Sequence, residues 1–221
     1  MSPLLNIHNL CYQKIIRNLS LKVSRGDFII ILGHNGSGKS TFLNCLNGKN
    51  AIDEGSICID DVPISTLSIE KRALFLSTLS QETQLFESLT VQENLAMLPS
   101  YELKDLPPDL HKQFHLPTSY LSGGQRQSLA MTMAMARNPQ ILLLDEHTSA
   151  LDPKAATTSM KKVDDLSKGN QDLAILMTTH SLDIALQYGN RLLMIQHGTI
   201  THDFAAQEKA LLTKHDLYSI Y

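Results

Sequence analysis

The nine residues 33–41, Gly-His-Asn-Gly-Ser-Gly-Lys-Ser-Thr, limit what this chain can fold into more than any other stretch of its sequence. An apolar, β-branched run at 28–32 precedes them and is typical of a buried strand. A short helical pattern at 41–47 follows and stops at Gly48. Four positions match the phosphate-loop pattern G-x-x-x-x-G-K-[ST], namely Gly33, Gly38, Lys39 and Ser40. A strand, a glycine loop and a helix in this order predict a site for nucleotide phosphates.

The residue types of the loop explain why such a site holds phosphate. Glycines allow backbone N–H groups to turn inward around an anion, and the helix N-terminus adds about half a positive charge there. Lys39 is long enough to reach the β- and γ-phosphates, and the Ser40 hydroxyl is suited to holding Mg²⁺. We expect the other loop positions to line the same cradle: Asn35, Gly36, Ser37 and Thr41.

Composition narrows the class of protein. Hydrophobic residues make up 43% of the chain and charged residues 19%, which is typical of a globular protein. The formal net charge of −3 gives no overall basic surface, so no nucleic-acid partner is predicted. No apolar run approaches the roughly 20 residues of a membrane-spanning helix, and no secretory segment is recognisable, which favours a cytoplasmic location. The cysteines, 3 in number, lack metal-ligand spacing, as expected for reduced thiols.

We expect residues 1–221 to form a single domain that carries an insertion. Loosely alternating apolar residues at 4–25 predict antiparallel strands ahead of the phosphate loop. Prolines divide a later stretch into short helical pieces and indicate a helical subdomain at about 82–135. The catalytic core is then predicted at about 1–81 and 136–221.

Three further features need an interpretation at this point. A short apolar run lies at 74–76, and the tail from residue 205 onward is predicted to be a helical, charged surface segment. Tyr12 lies upstream of the phosphate loop, where an aromatic ring could stack on a nucleotide base. It could equally be a half-buried tyrosine of a strand, and the sequence leaves both readings open.

Polar residues with catalytic chemistry follow two predicted strands. Residues 141–144 form a fully apolar strand pattern, and Asp145 and Glu146 come directly after it. In open α/β sheets ligands bind beyond the carboxyl ends of the strands, so both acids are expected to face the phosphate loop. His180 follows the buried strand pattern at 173–177 and is expected at the same edge. The alternative for His180 is a strand-end histidine satisfied by local hydrogen bonds.

Two helix starts are clear from their capping residues. Ser122 is a good N-cap and forms a capping-box pattern with Gln125, at the start of a helix that stops before Pro139. Asp152 precedes Pro153 at the start of another helix. N-capping by itself would explain Asp152, so any catalytic role would be a second one.

Taken in order, these motifs resemble those of the nucleotide-binding subunit of an ABC (ATP-binding cassette) transporter, over nearly the whole chain. Residues 121–125 are LSGGQ, the family signature, which other phosphate-loop ATPases lack. The remaining matches are 33–41 with Walker A, Gln81 with the Q-loop glutamine, 141–146 with Walker B, 149–152 with the D-loop and His180 with the switch histidine.

The resemblance implies a fold and a reaction. The fold is an α/β, phosphate-loop (RecA-like) ATPase core with an N-terminal antiparallel β subdomain and an inserted α-helical subdomain. The reaction is hydrolysis of ATP with Mg²⁺, which Ser40, Gln81 and Asp145 would hold. Glu146 would take a proton from the attacking water or position that water, and His180 would contact the γ-phosphate. Gln81 joins Glu146 and His180 as an implied catalytic residue.

The resemblance also implies partners. Two copies of the chain would sandwich two ATP molecules, so that the signature of each copy completes the site of the other. Ser122, Gly124 and Gln125 would make that contact, together with Asp152 of the D-loop. Transmembrane permease subunits would bind the chain at the inner face of the membrane, and a substrate-binding protein would join them in an importer.

We therefore predict an ATPase subunit that drives solute transport, as part of an importer, by ATP-dependent dimer closure. The runs at 145–154 and 187–192 resemble a bacterial branch associated with importers of amino-acid type. The alternatives are an ABC ATPase that powers a non-transport membrane complex and a soluble nucleotide switch. A metabolite kinase is disfavoured by LSGGQ.

Two departures from the family pattern stand out. The stretch between Gln81 and the signature is short for the family. His147 stands where most members have proline. It could be a surface residue, a replacement for the proline turn, or a polar group near the attacking water.

Overall fold

A computed structural model describes residues 2–80, 84–98 and 106–221, whose strands form two sheets. In chain order the strands are β1 (Leu5–Tyr12), β2 (Ile16–Val23), β3 (Phe28–Leu32), β4 (Glu54–Ile59), β5 (Val62–Pro63), β6 (Leu76–Leu79), β7 (Ile141–Asp145), β8 (Ala174–Thr179), β9 (Arg191–Gln196) and β10 (Thr199–Phe204). The first sheet is antiparallel, with strand order β2-β1-β4-β5. The central sheet has order β10-β9-β3-β8-β7-β6 and is parallel except for β10.

The central strands are nearly continuous apolar runs because both faces of the sheet are covered. Every residue of β3 and β8 is buried, and so is β7 up to Leu144. β8 pairs with both β3 and β7 in parallel register. The carboxyl ends of these three strands therefore lie side by side, and the loops that follow them meet at one edge.

The described helices are α1 (Lys39–Leu46), α2 (Ile69–Phe75), α3 (Val91–Ala96), α4 (Pro108–His111), α5 (Gly123–Met135), α6 (Pro153–Gly169), α7 (Leu182–Gln187), α8 (Ala206–Lys209) and α9 (Lys214–Ile220). A capping side chain starts most of them, namely α2, α3, α5, α6, α7 and α9. Ser122 and Gln125 form the predicted capping box at α5, and Asp152 caps α6 as predicted. Across the described ranges, no helix is both long and apolar enough to cross a membrane.

Three clusters of buried apolar side chains stabilise this arrangement. Ile29 and Ile31 of β3 point into the first cluster, which the central sheet shares with α1 and the antiparallel sheet. Phe28 and Ile30 point to the opposite face, which is covered by side chains of α5, α6, α7 and α9. The third cluster is small and lies within the stretch 91–129; it consists of Val91, Leu95, Leu106, Leu110, Leu121 and Leu129.

Two elements differ from the sequence-based expectation. The helix α2 was not predicted; Ser68 starts it by accepting the Lys71 N–H at 3.3 Å, and the apolar run 74–76 is divided between α2 and β6. The tail is helical as predicted, but it is not only a surface segment. Leu217 of α9 is fully buried in the second cluster, because the tail carries apolar side chains on one side.

Candidate active site

Two glycines determine the path of the loop between β3 and α1. Gly38 precedes α1 with a φ of 105°, in the left-handed region that favours glycine. A Cβ on Gly33 would lie 2.4 Å from the backbone oxygen of Ile195, so no larger residue fits there. The loop brings the N-terminus of α1, with its free N–H groups, to the carboxyl edge of the central sheet.

Lys39 is the first residue of α1, and its buried ammonium faces the loop. Nζ donates to the backbone oxygens of Gly33 and His34 at 2.7 and 3.0 Å. It also lies 3.4 Å from Oε1 of Glu146. The ammonium is thus surrounded by two neutral carbonyls and one carboxylate, a position from which it can attract an anion.

Ser40 of α1 and Asp145 at the end of β7 contact each other at the cleft. The Ser40 hydroxyl donates to Oδ1 of Asp145 at 2.9 Å. Hydroxyl and carboxylate oxygens are ligands that Mg²⁺ prefers, and Mg²⁺ usually takes few protein ligands beside phosphate oxygens, so this donor set fits the ion. The cleft measures about 470 Å³ and is lined by Ile15, Asn35, Gly36, Gly38, Lys39, Ser40, Thr41, Asp145 and Glu146.

Glu146 joins the predicted lysine and histidine at this cleft. Its Oε1 faces Lys39, and its Oε2 lies 3.4 Å from Nδ1 of His180. The backbone of Glu146 has a φ of 45°, a left-handed conformation that costs a non-glycine residue about 1–2 kcal/mol. The structure therefore brings Lys39, Glu146 and His180 together, and a strained turn after β7 aims the carboxylate at them.

Two residues at this site were not predicted from the sequence. Ile15, in the turn between β1 and β2, lines the cleft and is 41% exposed. Thr178 of β8 is fully buried, and its hydroxyl contacts both Asp145 and Glu146. Two features of the sequence could have indicated them. Ile15 is an apolar residue in a turn, and Thr178 is a polar residue directly after the apolar run 173–177.

Three other predicted residues have different surroundings. Tyr12 is partly buried against the first apolar cluster and is not among the residues lining the cleft, so its stacking on a base stays a prediction. Ser37 is buried within the loop. Gln81 lies outside the described residues.

The signature residues lie at a second groove. Ser122, Gly124, Gln125 and Asp152 line a groove of about 260 Å³ between α5 and α6. α5 and α6 approach closely here, since a Cβ on Gly124 would lie 3.4 Å from that of Ala155. Within the described ranges, no residue lines both this groove and the cleft at the phosphate loop. The predicted residues thus form two separate groups on one chain.

His147 is buried, with 2% of its surface exposed, so the surface interpretation is wrong. Neither ring nitrogen has a hydrogen-bond partner among the residues that the structure describes. Burial lowers the pKa of His147 to about 4, and the ring is therefore neutral at physiological pH. The other two interpretations, a replacement for the proline turn and a polar group near the attacking water, stay predictions.

The tail reaches the phosphate loop, which the sequence did not indicate. The rings of His34 and Tyr221 lie 3.9 Å apart, and His34 Nε2 lies 3.0 Å from the backbone oxygen of Tyr221. The Gln196 side chain donates to the backbone oxygen of Ile220 at 2.7 Å. Burial and the nearby charge of Glu146 raise the pKa of Tyr221.

Known proteins with related sequences place this geometry in a family. The protein-family model described as ABC transporter matches residues 16–149 of this sequence. The tyrosine transport ATP-binding protein of Clostridioides difficile is 36% identical over 224 residues, which cover 92% of this chain and 89% of that protein. The chain belongs to the ABC transporter family. As an ABC ATP-binding subunit it binds and hydrolyses ATP with Mg²⁺, which confirms the predicted family and activity. The glutamine transport ATP-binding protein GlnQ of Escherichia coli is 31% identical over 206 residues. These residues cover 86% of this ABC chain and 85% of GlnQ.

Solved structures of ABC proteins have the same fold. The protein cbiO1 from Clostridium perfringens, part of the ABC transporter complex cbiONQ, gives a TM-score of 0.83 at 24% identity, over 100% of this chain and 94% of that one. The ATP-binding cassette MJ0796, solved as a dimer with ADP and Pi, gives a TM-score of 0.77 at 24% identity, over 91% and 98%. These likenesses confirm the predicted fold class.

Proposed function

We propose that this ABC chain is the ATP-hydrolysing subunit of an amino-acid importer. One observation supports the ATP-hydrolysing role. Lys39, Glu146 and His180 lie together at one cleft, and the Ser40–Asp145 pair lies at the same cleft. The importer part is supported by the names of its relatives. They include the tyrosine and glutamine proteins above and the methionine import ATP-binding protein MetN of Clostridioides difficile, which is 30% identical over 203 residues.

Each residue at the cleft has a proposed role. Lys39 and the loop N–H groups hold the β- and γ-phosphates, and Ser40 and Asp145 would hold Mg²⁺. Gln81, which the family resemblance implies as a further ligand, would join them. The bound ion would neutralise charge on the phosphate oxygens. Glu146 takes a proton from the attacking water or positions that water. His180 contacts the γ-phosphate.

The partners follow from the second group of residues. A second copy of the chain places Ser122, Gly124 and Gln125, together with Asp152, on the γ-phosphate side of its partner's ATP.

We propose that residues 82–135 form the helical subdomain, beside a core at 1–81 and 136–221. Exposed apolar side chains of this subdomain contact transmembrane permease subunits at the inner face of the membrane: Phe86, Met97, Leu116 and Tyr120. A substrate-binding protein would deliver the amino acid.

The Glu146→Gln variant tests this proposal. The amide keeps the size of the side chain and removes its basic charge, so ATP binding should persist while turnover falls at least about 10²-fold. Uptake of labelled tyrosine, glutamine and methionine by cells that carry the complete transporter should fall in parallel. ATP hydrolysis by the full chain and uptake by those cells are the two measurements.

The Glu54→Gln variant is the matched control, since Glu54 is exposed on β4 and away from the cleft. It should hydrolyse ATP and support uptake like the parent. Near-parental hydrolysis by Glu146→Gln would remove Glu146 from its catalytic role. Loss of hydrolysis without loss of amino-acid uptake would contradict the importer assignment.

A further inference from the structure

We propose that Thr178 is a positioning residue for ATP hydrolysis, because its single hydroxyl contacts both acidic residues of the active site. Thr178 Oγ1 lies 2.7 Å from Oδ1 of Asp145 and 3.0 Å from the backbone nitrogen of Glu146. The hydroxyl donates to the carboxylate and accepts the N–H of Glu146. The inference rests on the proposed roles of Asp145 at the metal and of Glu146 at the attacking water.

The hydroxyl has a second acceptor in reach, the backbone oxygen of Leu144 at 3.4 Å. A hydroxyl carries one proton, and O–H···O bonds normally span about 2.5–3.0 Å, so the proton goes to the Asp145 carboxylate. An O–H···O⁻ distance of 2.7 Å is that of a charge-assisted hydrogen bond. Thr178 is fully buried, so bulk water does not compete for either contact.

The position of Thr178 follows from the register of the central sheet. Thr178 faces Asp145 in the last pair of the β7–β8 ladder. β7 ends there, and Glu146 turns into the left-handed region with a φ of 45°. A continued ladder would offer a backbone acceptor at this point, and the Thr178 side chain offers one instead. The hydroxyl therefore stabilises the turn that aims the Glu146 carboxylate at the cleft.

The same hydroxyl also fixes the Asp145 carboxylate, which is proposed to bind Mg²⁺. Oδ1 of Asp145 accepts one hydrogen bond from Ser40 of α1 and one from Thr178 of β8. Without the Thr178 hydroxyl, Ser40 is the one hydroxyl donor left on that oxygen in the described part of the chain. The Glu146 N–H would lose its acceptor as well. A displacement of about 1 Å at a reacting group can lower a rate about 10²-fold.

Two pairs of full-chain variants isolate this hydroxyl: the parent against Thr178→Val, and Thr178→Ser against Thr178→Ala. In each pair we expect the member without the hydroxyl to have a kcat at least about tenfold lower, with KM for ATP changed less than about threefold. Binding of Mn²⁺ with ADP, followed by electron paramagnetic resonance, should weaken at least about threefold. ADP affinity in EDTA, measured by calorimetry, should stay within about twofold, since it depends on the phosphate loop.

Thr118→Val is the control for removing a buried hydroxyl elsewhere. Thr118 is fully buried and donates to the Phe86 backbone oxygen, which also has the Asn94 side chain as a donor. This variant should keep the kcat and Mn²⁺ affinity of the parent. Equal kcat within both Thr178 pairs would overturn the inference, and so would a loss of ADP affinity in EDTA as large as the loss of kcat.

The Glu146→Gln variant, measured in parallel, separates two kinds of failure. If Glu146→Gln also keeps its turnover, the proposed catalytic role of Glu146, on which this inference rests, fails. If Glu146→Gln loses turnover while the Thr178 pairs do not differ, only the positioning role of Thr178 is refuted.

Discussion

His147 is buried directly after the acidic pair at the cleft, Asp145 and Glu146, and its charge state follows from that burial. Neither ring nitrogen finds a hydrogen-bond partner in the described ranges, so nothing there offsets the cost of charging the ring. The pKa of His147 is lowered from 6.5 to about 4 by burial. Between these two values an unfolded chain binds a proton at His147 that the folded chain does not, and stability falls as the pH falls.

The His147→Leu variant should remove this pH dependence. Relative to the variant, the parent should lose about 2–3 kcal/mol of unfolding free energy between pH 7.5 and pH 4.5, at about 1.4 kcal/mol per pKa unit. Urea denaturation of both proteins over this pH range measures the difference. His215→Leu, at an exposed position of α9, is the control and should follow the parent. Parallel pH profiles for the parent and His147→Leu would show that the buried ring is charged or paired in solution.

At this scale, predictability from sequence depends on whether a role is set by local spacing. The positions of Lys39 and Ser40 at the cleft were predictable because the two residues lie in one short motif, next to the strand and helix that position it. The position of Thr178 was not predictable, since its contacts depend on the lateral pairing of β7 with β8. Thr178 and Asp145 are 33 residues apart in the sequence. The sequence likewise left open whether Tyr12 lies at the cleft, and it did not predict Ile15, which the turn after β1 puts there.

Among the elements, the C-terminal helices show how burial depends on one side of a helix. Leu217 of α9 is fully buried in the core cluster under the central sheet, while the next residue of the same helix, Tyr218, is 65% exposed. Leu211, just after α8, is 82% exposed. α2 is the opposite case: none of its residues is buried, and its Ile69 and Leu74 point to solvent. A helix without an apolar stripe offers no 3.6-residue pattern, so α2 was missed although Ser68 caps it.

Leu217→Ala and Leu211→Ala form a matched pair that tests the docking of the tail. Removing a buried leucine side chain should destabilise the fold by about 2–5 kcal/mol through lost contacts and the cavity left behind. The same change at the exposed Leu211 should stay within about 0.5 kcal/mol. Urea denaturation monitored by circular dichroism gives both values. Equal effects of the two substitutions would mean that α9 is not packed on the core in solution.

For the whole molecule, the separation of the two groups of predicted residues decides how hydrolysis can be completed. Ser122 and its neighbours lie at the α5–α6 groove, and no described residue is shared between that groove and the cleft that holds Lys39 and Glu146. A second chain that brings its α5 N-terminus to the cleft would supply a hydroxyl and the positive end of a helix. Hydrolysis should therefore need two chains, with each site built from both.

Mixing two inactive variants tests this shared site. Ser122→Arg places bulk and charge at the start of α5, and Glu146→Gln removes the basic carboxylate, so each variant should be inactive alone. In a heterodimer with shared sites, one site collects both substitutions, and the other joins an intact Glu146 to an intact Ser122. ATPase activity should then appear on mixing and peak near equal amounts. If each chain completed its own site, every site in the mixture would carry one substitution and activity would stay at the baseline.

The reciprocal mixture provides the matched control. Here the parent is titrated with a chain that carries both Ser122→Arg and Glu146→Gln, and crosslinking confirms that heterodimers form. With shared sites, both sites of each heterodimer contain one substitution, so activity per parent chain should fall as the double variant is added in excess. With sites completed within one chain, the parent half of each heterodimer stays intact and activity per parent chain should not change. Recovery in the first mixture together with loss in the second has one explanation, which is a signature acting across the interface; constant activity in both would refute the two-chain site.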